Sequence, residues 1–431
     1  MKSECVRRFG GVVLAGILLV CLMGGCGGGE GVSSDPAAST SSTTTSLVTT
    51  MTSASASTTT TESETSVEST TETETAATDS TTTEKPSTTG SASTTKQSTT
   101  KTTTTTKVTT ASTTQPLPKK ELTEIGIWYS TWYGYGQPGS TNNQFDTWNA
   151  WGIESTPLLP DGSFGRYDSL NESVMQFHLE KMSEAQIDFI IMDQTNRIDA
   201  DNGYINKRSL AMAKKIKQYN DSGARPVRYC SAIGAVQWDR NGATIEQEAR
   251  MLWERYVTQD FGGEKYHMYY EGKPLLIVYG DAEDIWNSYT GDKTYGNKFT
   301  IRFAGNNSTP GYWGWAYDKG VQWHPEVTVV MPGWHNRAGH APVNRNYGET
   351  YKKFWRKVLN EPESPRFIVI NSFNEYAERT AVFPAVISDD AREGDKWYTD
   401  ENRVQDPYMY WNMTVDYIQK FKAMDKPLAD F

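Results

Sequence analysis

Residues 27–120 contain no tryptophan, tyrosine or phenylalanine and consist mostly of threonine and serine. Such a stretch cannot bury enough apolar surface to offset the entropy of ordering its backbone. It divides the chain. All 14 Trp and all 23 Tyr lie beyond it, so the 37% hydrophobic content and the mean hydropathy of −0.62 are averages over unlike segments. Three equal globular domains are excluded. The pattern predicts an apolar leader over residues 1–26, a disordered Thr/Ser-rich linker over 27–120, and one aromatic-rich domain over 121–431. As a flexible coil the linker would span on the order of 50–60 Å. A mucin-like stalk is the other reading of so Thr-rich a tract.

Lys2, Arg7 and Arg8 precede an apolar stretch over residues 12–23, followed by Gly24, Gly25 and Cys26. This is the layout of an export signal peptide, and the stretch is too short for a stable bilayer anchor. The run Leu22-Met23-Gly24-Gly25-Cys26 resembles a bacterial lipobox. That resemblance implies cleavage before Cys26, lipid attachment at its thiol, and a domain held at the extracellular face of the cell membrane. The plainer reading is a secretory signal cut nearby.

The net charge of −10 is carried mainly by residues 121–431. An acidic domain lacks the basic face that phosphate polymers need, so nucleic acid is a poor partner and a neutral substrate fits better. Cys5 and Cys21 fall in the leader and Cys26 at its end, leaving Cys230 alone in the domain. An internal disulfide and a Cys-based zinc site are therefore excluded there. Cys230 sits in the apolar run 227–233 and reads as a buried, inert thiol. His335 and His340 lack a third ligand at matching spacing, and no phosphate loop, Ser-His-Asp arrangement or nucleotide fingerprint is present. No metal, no cofactor and a monomer are expected.

Within the domain, short apolar runs alternate with longer segments of helical spacing, the pattern of a parallel sheet wrapped by helices. Strands are predicted over 125–132, 188–193, 226–233, 274–279, 300–304, 312–316, 327–331 and 367–373, and helices over 173–186, 207–220, 244–260, 348–359 and 407–423. Eight strands with interleaved helices predict an α/β fold, a (β/α)8 TIM barrel, whose strand C-termini converge on one functional face.

The last predicted strand runs directly into Asn374-Glu375-Tyr376-Ala377-Glu378. Two carboxylates three residues apart beyond a strand can point into one space. Glycoside hydrolysis needs such a pair, one to protonate the leaving oxygen and one to attack or to activate the attacker. Mutual repulsion would keep one protonated near neutral pH. The plainer reading is a pair of acids favourable to a helix N-terminus.

The run from Ile370 to Glu378 resembles the Asn-Glu-aromatic-x-Glu signature of glycoside hydrolase family 99 and the related family 71. Trp128-Tyr129, Trp132-Tyr133-Gly134, Pro332-Gly333-Trp334-His335-Asn336-Arg337 and the Tyr347/Tyr351 segment extend the resemblance over most of the domain. It implies a (β/α)8 glycosidase acting on an α-mannan or α-glucan, retaining in family 99. Glu375 would then deprotonate the sugar 2-hydroxyl, which closes on the anomeric carbon, and Glu378 would be the general acid and base. Tyr376 stands where family 99 usually has Trp, and Arg379 where it has Gly. A cation beside Glu378 would lower its pKa unless the guanidinium points away.

Trp132, Tyr133 and Trp334 lie at predicted strand ends, where aromatic faces can stack on sugar rings, although most of so many aromatics must be core. Asp193 can bind sugar hydroxyls, set a neighbour's pKa or cap the following turn. Arg345 and Arg337 can hold a glutamate ionised or pair at the surface. Asn374 completes the substrate-binding set beside Glu375. The rival reading is a non-catalytic cell-surface glycan-binding lipoprotein, which the same aromatics would serve. A glycosyltransferase-associated relative would be expected inside the cell, and the export signal argues against it.

Overall fold

The computed structural model describes residues 123–134, 147–234, 241–280, 282–305, 309–315, 322–335 and 341–430. The expected leader, the linker and Cys26 lie outside them, as do Asn336, Arg337 and His340. Ten strands are β1 Glu124–Ser130, β2 Ser155–Pro157, β3 Phe189–Gln194, β4 Arg228–Ile233, β5 Tyr269–Tyr270, β6 Lys273–Tyr279, β7 Thr300–Ala304, β8 Val327–Val330, β9 Phe367–Ile370 and β10 Ala385–Ile387. The α-helices are α1 Thr147–Ala150, α2 Glu172–Glu184, α3 Ala200–Asp221, α4 Gly242–Leu252, α5 Glu283–Ser288, α6 Glu349–Asn360 and α7 Met409–Ala423.

The parallel strands are short apolar runs such as Phe-Ile-Val-Ile in β9 and Val-Thr-Val-Val in β8, buried at every residue. Burial on both faces is what a sheet covered by helices demands. The helices carry the complementary stripe. In α6 Tyr351, Phe354, Trp355 and Val358 are buried at i, i+3, i+4 and i+7. Asn171 starts α2, its side chain accepting from the N–H groups of Ser173 and Val174. The predicted helix over 244–260 ends earlier, at Leu252, and continues as a π-helical turn over Trp253–Val257.

Seven strands pair in parallel in the order β7-β6-β4-β3-β1-β9-β8, with β5 antiparallel at the start of β6. The sheet is curled. Tyr270 in β5 packs edge-on against Phe367 in β9 at 4.9 Å, although β6, β4, β3 and β1 separate them in hydrogen-bond order. The two edges also approach, because Arg302 of β7 bonds Glu326, which precedes β8.

The sixth predicted strand, over 312–316, does not form: its described residues, 312–315, pair with neither edge as a strand. Trp315 has φ 47°, in the left-handed region that no strand residue occupies. Residues 312–315 run as irregular chain beside β7, with the Trp313 N–H donating to the Phe303 carbonyl at 2.8 Å. The architecture is thus a mixed α/β fold around a curled, largely parallel sheet. Cys230 is fully buried in β4, and burial pushes its thiol pKa well up.

Parallel pairing puts all the strand C-termini at one end. There Ser130 of β1 lies in register with Asp193 of β3, and the loop after β9 crosses beside them.

Candidate active site

The chain leaves β9 through residues 371–382, a turn that closes around Ser372. Its N–H donates to Thr380 at 3.0 Å, its carbonyl accepts from Val382 at 2.9 Å, and its hydroxyl accepts the Glu375 N–H at 2.9 Å. Asn374 then docks the turn on β1. Its side-chain oxygen accepts the Ser130 N–H at 2.8 Å, and its amide donates to the Ser130 carbonyl and the Tyr167 hydroxyl, both at 2.9 Å. Tyr133 adds a third tie, its hydroxyl donating to the Asn374 carbonyl and accepting the Tyr376 N–H at 3.1 Å. The backbone that carries both glutamates is fixed by protein contacts alone.

Glu375 is only 3% exposed. Its Oε1 accepts the N–H groups of Ala377 and Glu378 at 2.9 and 3.1 Å, and its Oε2 accepts the Ser130 hydroxyl at 3.0 Å. Glu378 is half-buried, and its Oε2 accepts the indole N–H groups of Trp315 at 2.7 Å and Trp334 at 3.2 Å. Burial first, then the charges of Glu378 and Asp193, raises the Glu375 pKa well above the ordinary carboxylate range. Burial also raises Glu378, with Asp193 adding to it and the two indoles opposing it. Asp193 is raised by its own burial, while its Oδ1 accepts from the Thr195 N–H at 3.0 Å and hydroxyl at 2.8 Å. Burial thus raises all three carboxyls, and the Asp193 charge raises both glutamates, so the protonated forms are favoured. The arrangement keeps a protonated carboxyl beside an ionised one, the requirement for paired acid and base work.

The other sequence candidates divide. Arg379 turns away from Glu378: its guanidinium donates to the Ala377 carbonyl and pairs with Glu154 at 3.3 Å. Its charge lowers Glu378 less than the two indole hydrogen bonds do. Arg345 is a brace, not an ion partner of either glutamate. It is 2% exposed, donates to the carbonyls of Arg379 and Ala381 at 2.7 and 2.9 Å, and lies over Tyr410 with its guanidinium 4.3 Å from the ring centroid.

Trp132 and Tyr133 stack on each other at 4.5 Å, and Tyr133 stacks again on Trp148 at 4.3 Å. Both are buried, Tyr133 completely. Asn374 is likewise fully enclosed. Trp334 reaches the site through its indole N–H, and His335 through its backbone N–H, which donates to the Glu378 carbonyl at 2.9 Å. Two residues of the site were not singled out by sequence reasoning. Ser130 carried a weak signal, as the first polar side chain after a buried run; Trp315 carried none, because Trp313-Gly314-Trp315 reads as part of a strand.

Among the described residues no group of three or more His, Cys, Asp or Glu side chains is placed to hold a metal ion.

No family model and no curated protein matches the chain. Solved structures do. The GH99 endo-α-mannosidase from Bacteroides thetaiotaomicron aligns at 16% identity over 69% of this chain and 97% of its own, with a TM-score of 0.48. Its complex with BIS-TRIS-propane aligns at 18% identity over the same shares, with a TM-score of 0.50. A chain described as a glycoside hydrolase-like protein aligns at 9% identity over 70% of this chain and 94% of its own, at 0.41. At the 0.50 level the likeness is one of fold: the domain is built like a GH99 endo-α-mannosidase.

Proposed function

We propose that the domain is a glycoside hydrolase that cleaves an α-linked glycan, an α-mannan or α-glucan, with Glu375 and Glu378 as its proton-transferring pair. The observation that carries the reading is this pair itself, a buried and a half-buried carboxyl with raised proton affinity on one turn at the C-terminal end of the sheet. The fold likeness to an endo-α-mannosidase supports it.

In the proposed reaction Glu378 gives its proton to the glycosidic oxygen as the bond to the anomeric carbon breaks. Glu375 takes the proton of the sugar 2-hydroxyl, whose oxygen closes on the same carbon to form an anhydro-sugar. Water then attacks that carbon, Glu378 takes the water proton, and the 2-oxygen recovers its proton from Glu375. Two inversions give net retention. The donors, three on Glu375 and two indoles on Glu378, each favour the ionised form, and burial overrides them at both groups and raises Glu375 further. The division into base and acid follows the resemblance to family 99, and the two variants below test it. A lipid on Cys26 and the linker would hold the domain at the outer face of the membrane, within reach of wall or environmental polysaccharide.

The test is release of reducing ends from a panel of α-mannans and α-glucans by wild type, Glu375→Gln and Glu378→Gln. Losses of about 100-fold or more in both variants are expected. Activity retained by both sinks the mechanism. A wild type that binds glycans yet releases nothing makes the protein a glycan-binding lipoprotein instead.

A further inference from the structure

The contacts around Glu378 assign a role to a residue outside the carboxylate motif. Trp315 follows β7, 63 positions before Glu378 in the chain, and donates its indole N–H to Glu378 Oε2 at 2.7 Å. Trp334, from the loop after β8, donates to the same oxygen at 3.2 Å. Among the described residues no hydrogen bond is made to Oε1. We propose that Trp315 is a positioning residue that, together with Trp334, clamps Oε2 of Glu378, so that the proton exchanged with substrate is carried on Oε1.

A carboxylic acid presents one oxygen as O–H donor and the other as acceptor. Two N–H donors on Oε2 occupy that oxygen as acceptor and leave the proton to Oε1, which fixes the direction in which the acid can deliver it. The clamp is rigid on the Trp315 side. The ring packs edge-on against Trp128 at 4.6 Å and Tyr279 at 5.3 Å. Its loop is tied to β1 by the Trp128 indole, which donates to the Trp313 carbonyl at 2.7 Å. Gly314 makes that approach feasible, since a Cβ there would meet the Trp128 ring at 3.1 Å. Trp315 itself adopts φ 47°, a conformation that a large L-residue takes only when its surroundings impose it. The ring is only 6% exposed, so it is poorly placed to serve as an open sugar platform.

The role as a clamp for a catalytic acid rests on the hydrolase reading, so the test separates the two. The full chain is labelled at its tryptophan indole nitrogens, and the indole N–H resonances of wild type, Trp315→Phe, Trp334→Phe and Glu378→Gln are followed against pH. The two Phe variants identify the resonances, and Phe keeps an aromatic ring while removing the donor. Both resonances are expected to titrate together in wild type and to lose that titration in Glu378→Gln. In Trp315→Phe the Trp334 midpoint should move upward by about one pH unit, because a donor that favours the charged form is gone. A Trp315 resonance indifferent to Glu378→Gln, or a Trp334 midpoint unmoved in Trp315→Phe, overturns the proposal. Should Trp315→Phe fail to fold, comparison of wild type with Glu378→Gln decides: two shifted indole resonances support the clamp, and none overturns it. On a glycan that wild type hydrolyses, Trp315→Phe should lower kcat about tenfold or more with KM little changed; an unchanged kcat overturns the proposal. A shared indole titration in a wild type inactive on every glycan upholds the geometry and sinks the hydrolase reading.

Discussion

The Ser130 hydroxyl donates to Oε2 of Glu375 at 3.0 Å, while the Ser130 N–H and carbonyl are both taken by Asn374, the residue before that glutamate. The last residue of β1 therefore holds the turn by its backbone and the carboxylate by its side chain. These two functions are separable by mutation.

Ser130→Ala removes a donor that favours ionised Glu375 and leaves the backbone ties in place. Glu375 should then hold its proton more tightly, so the acid limb of the kcat/KM profile moves to higher pH. A loss of about tenfold in kcat/KM on the acid side is expected, with the thermal midpoint nearly unchanged. An acid limb that stays in place would show that the hydroxyl does not tune the base. Asn374→Ala should do the reverse. It leaves the Ser130 N–H and carbonyl buried without their partner, a cost of about 2–4 kcal/mol, lowering Tm by roughly 5–10 °C in a thermal scan.

Activity requires one proton on the pair, and both carboxyls are raised from 4.5 by burial. Protonation of the base therefore abolishes activity at a higher pH than for exposed glutamates, and the optimum should fall near neutrality, with activity mostly lost by about pH 5. Asp193 contributes because its negative charge raises both members. In Asp193→Asn that charge is gone while an oxygen remains to accept from Thr195, so both limbs should move to lower pH with little change in stability. Limbs that move upward, or a wild-type optimum at about pH 4, contradict the assignment of charges.

The carboxylate pair was legible because a buried run, Phe367–Ile370, leads straight to two acids, and chain geometry alone puts them at the strand ends. The parallel strands were legible for the same reason of continuous burial. What could not be read was the use to which aromatics are put. Tyr133 and Trp315 both follow apolar runs and have the same local signature, yet Tyr133 is locked between Trp132 and Trp148 while Trp315 reaches a carboxylate 63 positions away. Such contacts depend on which loops the curled sheet brings together. None of the described residues of the predicted strand over 312–316 joins the sheet, and Trp315 at φ 47° is held by tertiary packing, against its own β preference.

Glu248 shows the opposite case, a site that spacing alone exposes. In α4 it shares the buried stripe with Ile245, Ala249 and Leu252, at i, i+3, i+4 and i+7, so a carboxylate occupies a position meant for an apolar side chain. Its side chain is fully buried, and the Arg197 guanidinium, 3.5 Å away, and the Ile198 N–H offset that burial only in part. Burial pushes its pKa from 4.5 up to about 7. Between those values the folded state binds more protons than the unfolded state, so stability falls as pH rises from about 4.5 to 7 and stays lowered above that. The loss attributable to this group is on the order of 3 kcal/mol. Glu248→Gln keeps the shape and removes the titration. The variant should match wild type near pH 4 and exceed its Tm at pH 8 by roughly 5–10 °C, and the difference between the two proteins cancels the contribution of Glu375 and Glu378. Equal Tm offsets at pH 4 and pH 8 would mean that Glu248 does not titrate in this interval and that Arg197 holds it ionised throughout.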